Sequence, residues 1–188
     1  MLFNRQHTHG FTLLELIAVI IILGIIAVIA TPKFLSINRD AHIAQLNSIA
    51  AKISAQNQLI YSKSAIDQIE RLIGCSYQCA AHPNWDVRVG QYFVDVSDTR
   101  VYVSLGYPLS PLTSGSVVGE NYRIAFGLPK TDFQFTSVPA HFGAVAIVPS
   151  QWQSKLTDIR NGKFQCHVEY SSPTPYRDYN VNVYSRDC

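Results

Sequence analysis

Residues 11–31 carry one charge, Glu15, in an otherwise apolar or small-residue run that reads Ile17-Ala18-Val19-Ile20-Ile21-Ile22-Leu23-Gly24-Ile25-Ile26-Ala27-Val28-Ile29-Ala30 through its centre. About 20 such residues at 1.5 Å rise span roughly 30 Å, the thickness of a bilayer's hydrocarbon layer. Lipid offers backbone amides no partners, so the run must be helical. A helix apolar all round has to be covered by lipid or by other helices, and this fixes what the rest of the chain can be. A carboxylate inside such a segment is costly, which marks Glu15 as functional.

The ten residues before the run contain Arg5, no acid, and end in Gly10. The stretch Gly10-Phe11-Thr12-Leu13-Leu14-Glu15 resembles the amino terminus of type IV prepilins. The resemblance implies that a membrane peptidase cuts between Gly10 and Phe11 and methylates the new amino terminus of Phe11. Pro32 falls where many members of that family bend the helix, and Gly24 is a second weak point. In this picture cleavage creates an amine on Phe11 that pairs with Glu15 of a neighbouring subunit and sets the register of assembly. The division expected is a leader over 1–10, a transmembrane and assembly helix over 11–31, and an exported domain over 32–188 that includes the second half of the helix. Shorter fragments, Thr31-Pro32-Lys33-Phe34-Leu35, Tyr61-Ser62-Lys63 and Cys166 followed by Val168 and Tyr170, look most like the mannose-sensitive haemagglutinin branch of these pilins. The competing readings are a secretory signal peptide cut after Val28-Ile29-Ala30, or a plain signal anchor. The run is long for the first, and neither requires Gly-Phe ahead of a buried acid.

The exported part, roughly 150 residues, is one domain of ordinary size. The whole chain has 47% hydrophobic residues and a net charge of +2, enough to build a core and no global argument for nucleic acid as a partner. Arg5 on the short side of the helix places the bulk of the chain outside, although Lys33 and Arg39 flank the other end. Cys75, Cys79, Cys166 and Cys188 then lie in an oxidising compartment. Four cysteines allow three connectivities; Cys75–Cys79 with Cys166–Cys188 is the favoured one. A zinc site from Cys75, Cys79 and His82 lacks a fourth ligand.

Beyond Pro32, Leu35, Ile43, Leu46, Ile49, Ile53, Ile60, Ile66, Ile69 and Ile73 recur mostly at gaps of three, four and seven, which is helical spacing. The expected helix runs from about Thr12 to about Leu72, roughly 90 Å, with Gly74 as its stop. From Asp86 the period becomes two. Strands are expected around Val87 and Val89, through Tyr92, Val94 and Val96, and over 99–105, with Ser97-Asp98 as a hairpin turn. Residues 106–119 read as a loop. Residues 122–126, 133–135 and 144–148 read as strands, and 163–170 with 179–185 as a final hairpin. Trp152, Leu156 and Ile159 share a helical face, with Ser150 as N-cap. The fold class is α+β: a long amino-terminal helix packed on an antiparallel sheet of about five to seven strands.

Constellations for catalysis are missing from this pattern: there is no Gly-x-Ser-x-Gly, no phosphate-cradling loop and no His-Glu-x-x-His. His167 beside Cys166 reads as a surface histidine next to a structural disulfide. Asp95 and Asp98 are too few for calcium, which takes about six to eight oxygens. Tyr122, Phe126, Phe133, Phe135, Phe142 and Trp152 read as core, and Lys52, Lys63 and Arg71 as a solvated helix face. No enzyme, cofactor or metal is expected. The resemblance implies a structural subunit of a type IV pilus, made as an inner-membrane precursor and assembled into an extracellular filament for surface adhesion, with motility or DNA uptake as further roles. Its partners are the peptidase and methyltransferase, the pilus assembly machinery, copies of itself in a helical homopolymer, and a surface ligand. The other readings are a type II secretion pseudopilin and a minor tip pilin that binds sugar or DNA.

Overall fold

The computed structural model describes residues 12–74, 81–109, 119–141 and 144–188. The chain falls into two compact units, 1–42 and 43–188. The first contains the start of helix α1 (Leu13–Ile66). This helix is continuous through Gly24 and Pro32, even though proline removes one internal amide donor. Its large apolar side chains from Leu13 to Ile29 are all exposed, and a Cβ placed on Gly24 would meet nothing within 4 Å. Gly24 therefore meets no side chain of the described residues in its own unit.

The helix ends at Ile66, earlier than the expected Leu72 to Gly74. Gln68 takes a left-handed conformation (φ 60°). The Gln68 N–H donates to the Ala65 carbonyl and the Ile69 N–H to the Ser64 carbonyl, the paired bonds of a Schellman cap. A non-glycine residue is strained there, and no sequence signal announces it. Ile69, which follows, is fully buried; its burial, worth roughly 2 kcal/mol, offsets the strain.

In the second unit α1 buries Leu46, Ile49, Ile53, Asn57, Ile60 and Ser64, a stripe at gaps of three and four. This stripe lies in one core with residues of two four-stranded antiparallel sheets, where a single sheet was expected. The first sheet is β1 (Trp85–Asp86), β2 (Gln91–Val96), β3 (Thr99–Ser104) and β4 (Tyr107–Pro108), in that order. Ser97-Asp98 does form the β2–β3 hairpin, both residues at positive φ (48° and 61°), as a twisted two-residue turn requires. Leu105-Gly106 makes a second such turn (φ 52° and 80°) into β4; Leu105 was expected to end a strand, and β4 lies in the segment read as loop. Val87 and Val89 are not in a strand. Asp86 Oδ1 accepts the N–H groups of Arg88 (3.0 Å) and Val89 (3.3 Å), and this side-chain turn outcompetes the ladder.

Residues 122–126 form a helix rather than a strand: α2 (Glu120–Phe126), with Gly127 at φ 58° as its left-handed cap. The alternation Tyr122, Ile124, Phe126 suggested period two, but the buried residues are Asn121, Tyr122, Ala125 and Phe126, one helical face. Asn121 explains the difference. Its Oδ1 accepts the Tyr102 N–H (2.8 Å) and its Nδ2 donates to the carbonyls of Tyr102 (2.8 Å) and Leu109 (2.6 Å). One side-chain amide thus satisfies backbone groups that another strand would otherwise meet.

The second sheet is β5 (Phe133–Ser137), β6 (Ala144–Pro149), β7 (His167–Ser171) and β8 (Asn180–Tyr184). Every residue of β6 is buried because both faces are covered. Val145 and Ile147 enter the main core, whereas Ala144, Ala146 and Val148 pack with Val138 and Ile159 in a second cluster. Ile159 belongs to α3 (Leu156–Arg160), which follows a 3₁₀ turn (Ser150–Lys155). Trp152, Leu156 and Ile159 do share this cluster, but Ser150 is not an N-cap. Its hydroxyl donates to the Thr131 carbonyl at 2.7 Å, tying the turn to the loop before β5. Tyr122 and Phe126 are core, and Phe133, Phe135 and Trp152 pack against it; Phe142 lies outside the described residues. Lys52 and Lys63 have a role the sequence did not show: their ammonium groups donate to the carbonyls of Gly127 (2.6 Å) and Asp95 (3.0 Å), fastening α1 to α2 and β2.

Candidate functional site

Gly10 and Phe11 lie outside the described residues, and the site is built from the turn that follows them. Thr12 is the N-cap of α1 and Glu15 its third helical residue. The Glu15 N–H donates to Thr12 Oγ1 (3.3 Å), and Glu15 Oε2 accepts the Thr12 N–H (3.3 Å) and hydroxyl (3.2 Å). This is a capping box, in which two orphan amides at a helix start are satisfied reciprocally. The signal was present in the sequence as Thr-x-x-Glu ahead of an apolar run, and Thr12 is the residue that sequence reasoning missed. The carboxylate is thereby turned back toward the helix start. A carboxylate has about four acceptor sites, so the box leaves room for a further donor.

Cys166 and Cys188 are bridged, with Cα atoms 5.0 Å apart and a sequence separation of 22. Cys166 is fully buried in the main core at the start of the final hairpin. The bond fixes the carboxyl-terminal residues to the sheet, helped by Asp187, whose carboxylate accepts the Gln165 N–H (2.7 Å). Cys75 and Cys79 lie outside the described residues. Closing a loop of this size is worth roughly 3 kcal/mol. Cys188→Ser should therefore lower the melting temperature of the oxidised protein by several degrees.

Residues 5–31 match the family model for the prokaryotic N-terminal methylation motif. That motif is the amino-terminal mark of the type IV pilin and pseudopilin superfamily. The match covers the leader and the apolar helix; no curated protein and no solved structure matches the chain. The pilin-like fold is present, a long amino-terminal helix followed by antiparallel sheets packed on it within the second unit. Proteins of this family are structural rather than enzymatic. The motif implies processing by a prepilin peptidase, an inner-membrane precursor and assembly into filaments.

A second feature of this pilin-like chain has no counterpart in the sequence reading. Along β7, Val168 and Tyr170 face the main core, and His167, Glu169 and Ser171 face the other way, as strand alternation requires. His167 is not on the surface: it is 4% exposed and stacks on Tyr184 with ring centroids 5.0 Å apart. Its Nδ1 has no hydrogen-bond partner. Glu169, equally buried, has both carboxylate oxygens within 2.9 Å of His141 Nδ1. Burial, and secondly the neighbouring His141, push the His167 imidazole down to about 4. The ordinary histidine value is about 6.5. Below that pH the unfolded chain takes up a proton that the folded chain refuses until about pH 4. Stability should therefore fall as pH drops from 6.5 to 4, by up to about 3 kcal/mol from this group. His167→Phe keeps the ring stack and cannot titrate. Denaturant midpoints across this range should fall less steeply in the variant than in the wild type, with His141, Glu169 and Tyr184 unchanged.

Proposed function

We propose that the chain is the subunit of an extracellular type IV pilus, cut after Gly10, methylated on Phe11 and held in register by Glu15. The observation that carries this reading is the methylation motif over residues 5–31 leading into a helix whose apolar side chains from Leu13 to Ile29 are exposed among the described residues. Such a surface needs lipid before assembly and neighbouring copies of the same helix after it. Residues 1–10 are then a leader, 11–31 the membrane and filament-core segment, and 32–188 the part displayed outside. Gly24 and Pro32 are where the helix yields when it leaves lipid for the filament, because both weaken a helix interior. The Cys166–Cys188 bond supports export, since disulfides persist in oxidising compartments. The fragments at 31–35, 61–63 and 166–170 are the support for the mannose-sensitive haemagglutinin branch and, with it, for surface attachment. Electron microscopy of cells carrying a tag on the exposed 172–179 turn tests the reading. Labelled filaments outside the cell are expected, and label confined to the cell envelope would point to a pseudopilin instead.

A further inference from the structure

β7 and β8 pair so that Ser171 lies opposite Asn180, Glu169 opposite Asn182 and His167 opposite Tyr184. Three polar pairs thus stand side by side on the outer face of the final hairpin, while Val181 and Val183 pack against the main core. Ser171, Glu169, Asn180, Asn182 and Tyr184 of these pairs line a hollow of about 360 Å³, together with Ala140, His141 and Arg177. A smaller hollow of about 170 Å³ adjoins it, sharing Ala140, His141, Glu169 and Tyr184 and continuing over Val138, Ile159 and His167. The larger one is at the small end of ligand pockets, which run roughly 300–1,000 Å³.

We infer that this outer face binds an acidic saccharide unit, a hydroxylated ring bearing one carboxylate. Two observations point to a ligand. The His167 side chain is buried and lines the smaller hollow with an unpartnered Nδ1, an arrangement that costs free energy unless something supplies a partner. Around the larger hollow, the side chains of Asn180, Asn182 and Arg177 have no hydrogen bond or ion pair with any other described residue. The chemistry selects the class. Each asparagine amide offers both a donor and an acceptor, and Ser171 and Tyr184 add hydroxyls, a set suited to neighbouring hydroxyl groups on a ring. The charge comes from Arg177. Glu169 is engaged by His141, whereas Arg177 is exposed and has no carboxylate within the described residues. Its planar fork matches a carboxylate with two parallel hydrogen bonds. The site belongs to the exported domain and does not depend on which filament the chain builds.

The test is ligand-observed saturation-transfer NMR on the full-length chain in detergent micelles, with methyl glucuronide and its neutral counterpart methyl glucoside as probes. Transfer to the glucuronide is expected, with the glucoside at least about tenfold weaker, equivalent to about 1.4 kcal/mol. Arg177→Gln should remove that preference without changing the melting temperature, because Arg177 is exposed. Asn182→Leu should weaken both probes. Absence of transfer to either sugar at about 10 mM, a range in which even weak sites are occupied, would overturn the inference. So would equal response to the two sugars in the wild type, or glucuronide binding by Arg177→Gln at the wild-type level.

Discussion

Gly10→Val is expected to accumulate as an uncut precursor in the membrane, and cells that carry it as their only copy are expected to have no filaments. The argument rests on space at the scissile bond. A glycine has no Cβ, so a peptidase backbone can approach closely, and it is free to adopt conformations closed to other residues. Valine adds a branched side chain that is stiff at χ1. A cleavage rate lower by on the order of 100-fold corresponds to about 2.7 kcal/mol of barrier, less than the overpacking of a tight site can cost. An uncut chain retains Arg5 and has an amide where the Phe11 amine should be, so the partner for Glu15 is never made. Insertion is unaffected because the apolar run is unchanged, and the Cys166–Cys188 bond should still form. Immunoblots against membranes and intact mass give the answer. A variant whose amino terminus is Phe11 at the wild-type level would refute the assignment of the cleavage site.

Glu15→Val and Glu15→Gln should both leave insertion and cleavage intact and both remove the subunit from sheared filaments. The glutamine variant carries the weight. On insertion scales a carboxylate in mid-membrane costs on the order of 3 kcal/mol, less near the interface. The capping box with Thr12 contributes about 1 kcal/mol, which offsets only part of that. Glutamine at this position also completes a capping box, so Glu15→Gln preserves the local structure and deletes the charge alone. If an ion pair with the Phe11 amine of a neighbour sets the register, glutamine fails as valine does, because opposite charges attract strongly at a site of low dielectric. Filaments restored to the wild-type level by glutamine but not by valine would reduce Glu15 to a helix cap. Wild-type filaments with both would leave it without an assembly role.

The long helix was legible because its signals are local and repeated: an apolar run, then Leu46, Ile49, Ile53 and Ile60 at helical spacing, all of which are buried. The Ser97-Asp98 turn and the Cys166–Cys188 pair were legible for the same reason. What was hidden depends on groups far apart in sequence. Gln68 accepts left-handed strain because Ile69 is buried, and burial is not a local property. Asn121 caps β3 from 19 residues away, so 122–126 read as another strand instead of the helix that substitutes for one. Val87 and Val89 alternate like a strand, yet the Asp86 side chain takes their backbone. At the helix start the Thr12–Glu15 box was written in the sequence and overlooked, because the acid's membrane cost drew the reading toward another subunit. The polar face of β7 and β8 could not be read at all, since it needs a register that only the folded hairpin supplies.

The most direct test of a processed filament subunit is the intact mass of this chain in the material sheared from the cell surface. The account predicts a chain that begins at Phe11, lacks residues 1–10 and carries one methyl group at its amino terminus, with the Cys166–Cys188 bond intact. A chain that begins at Thr31, or one found full-length and only in the membrane fraction, would contradict it.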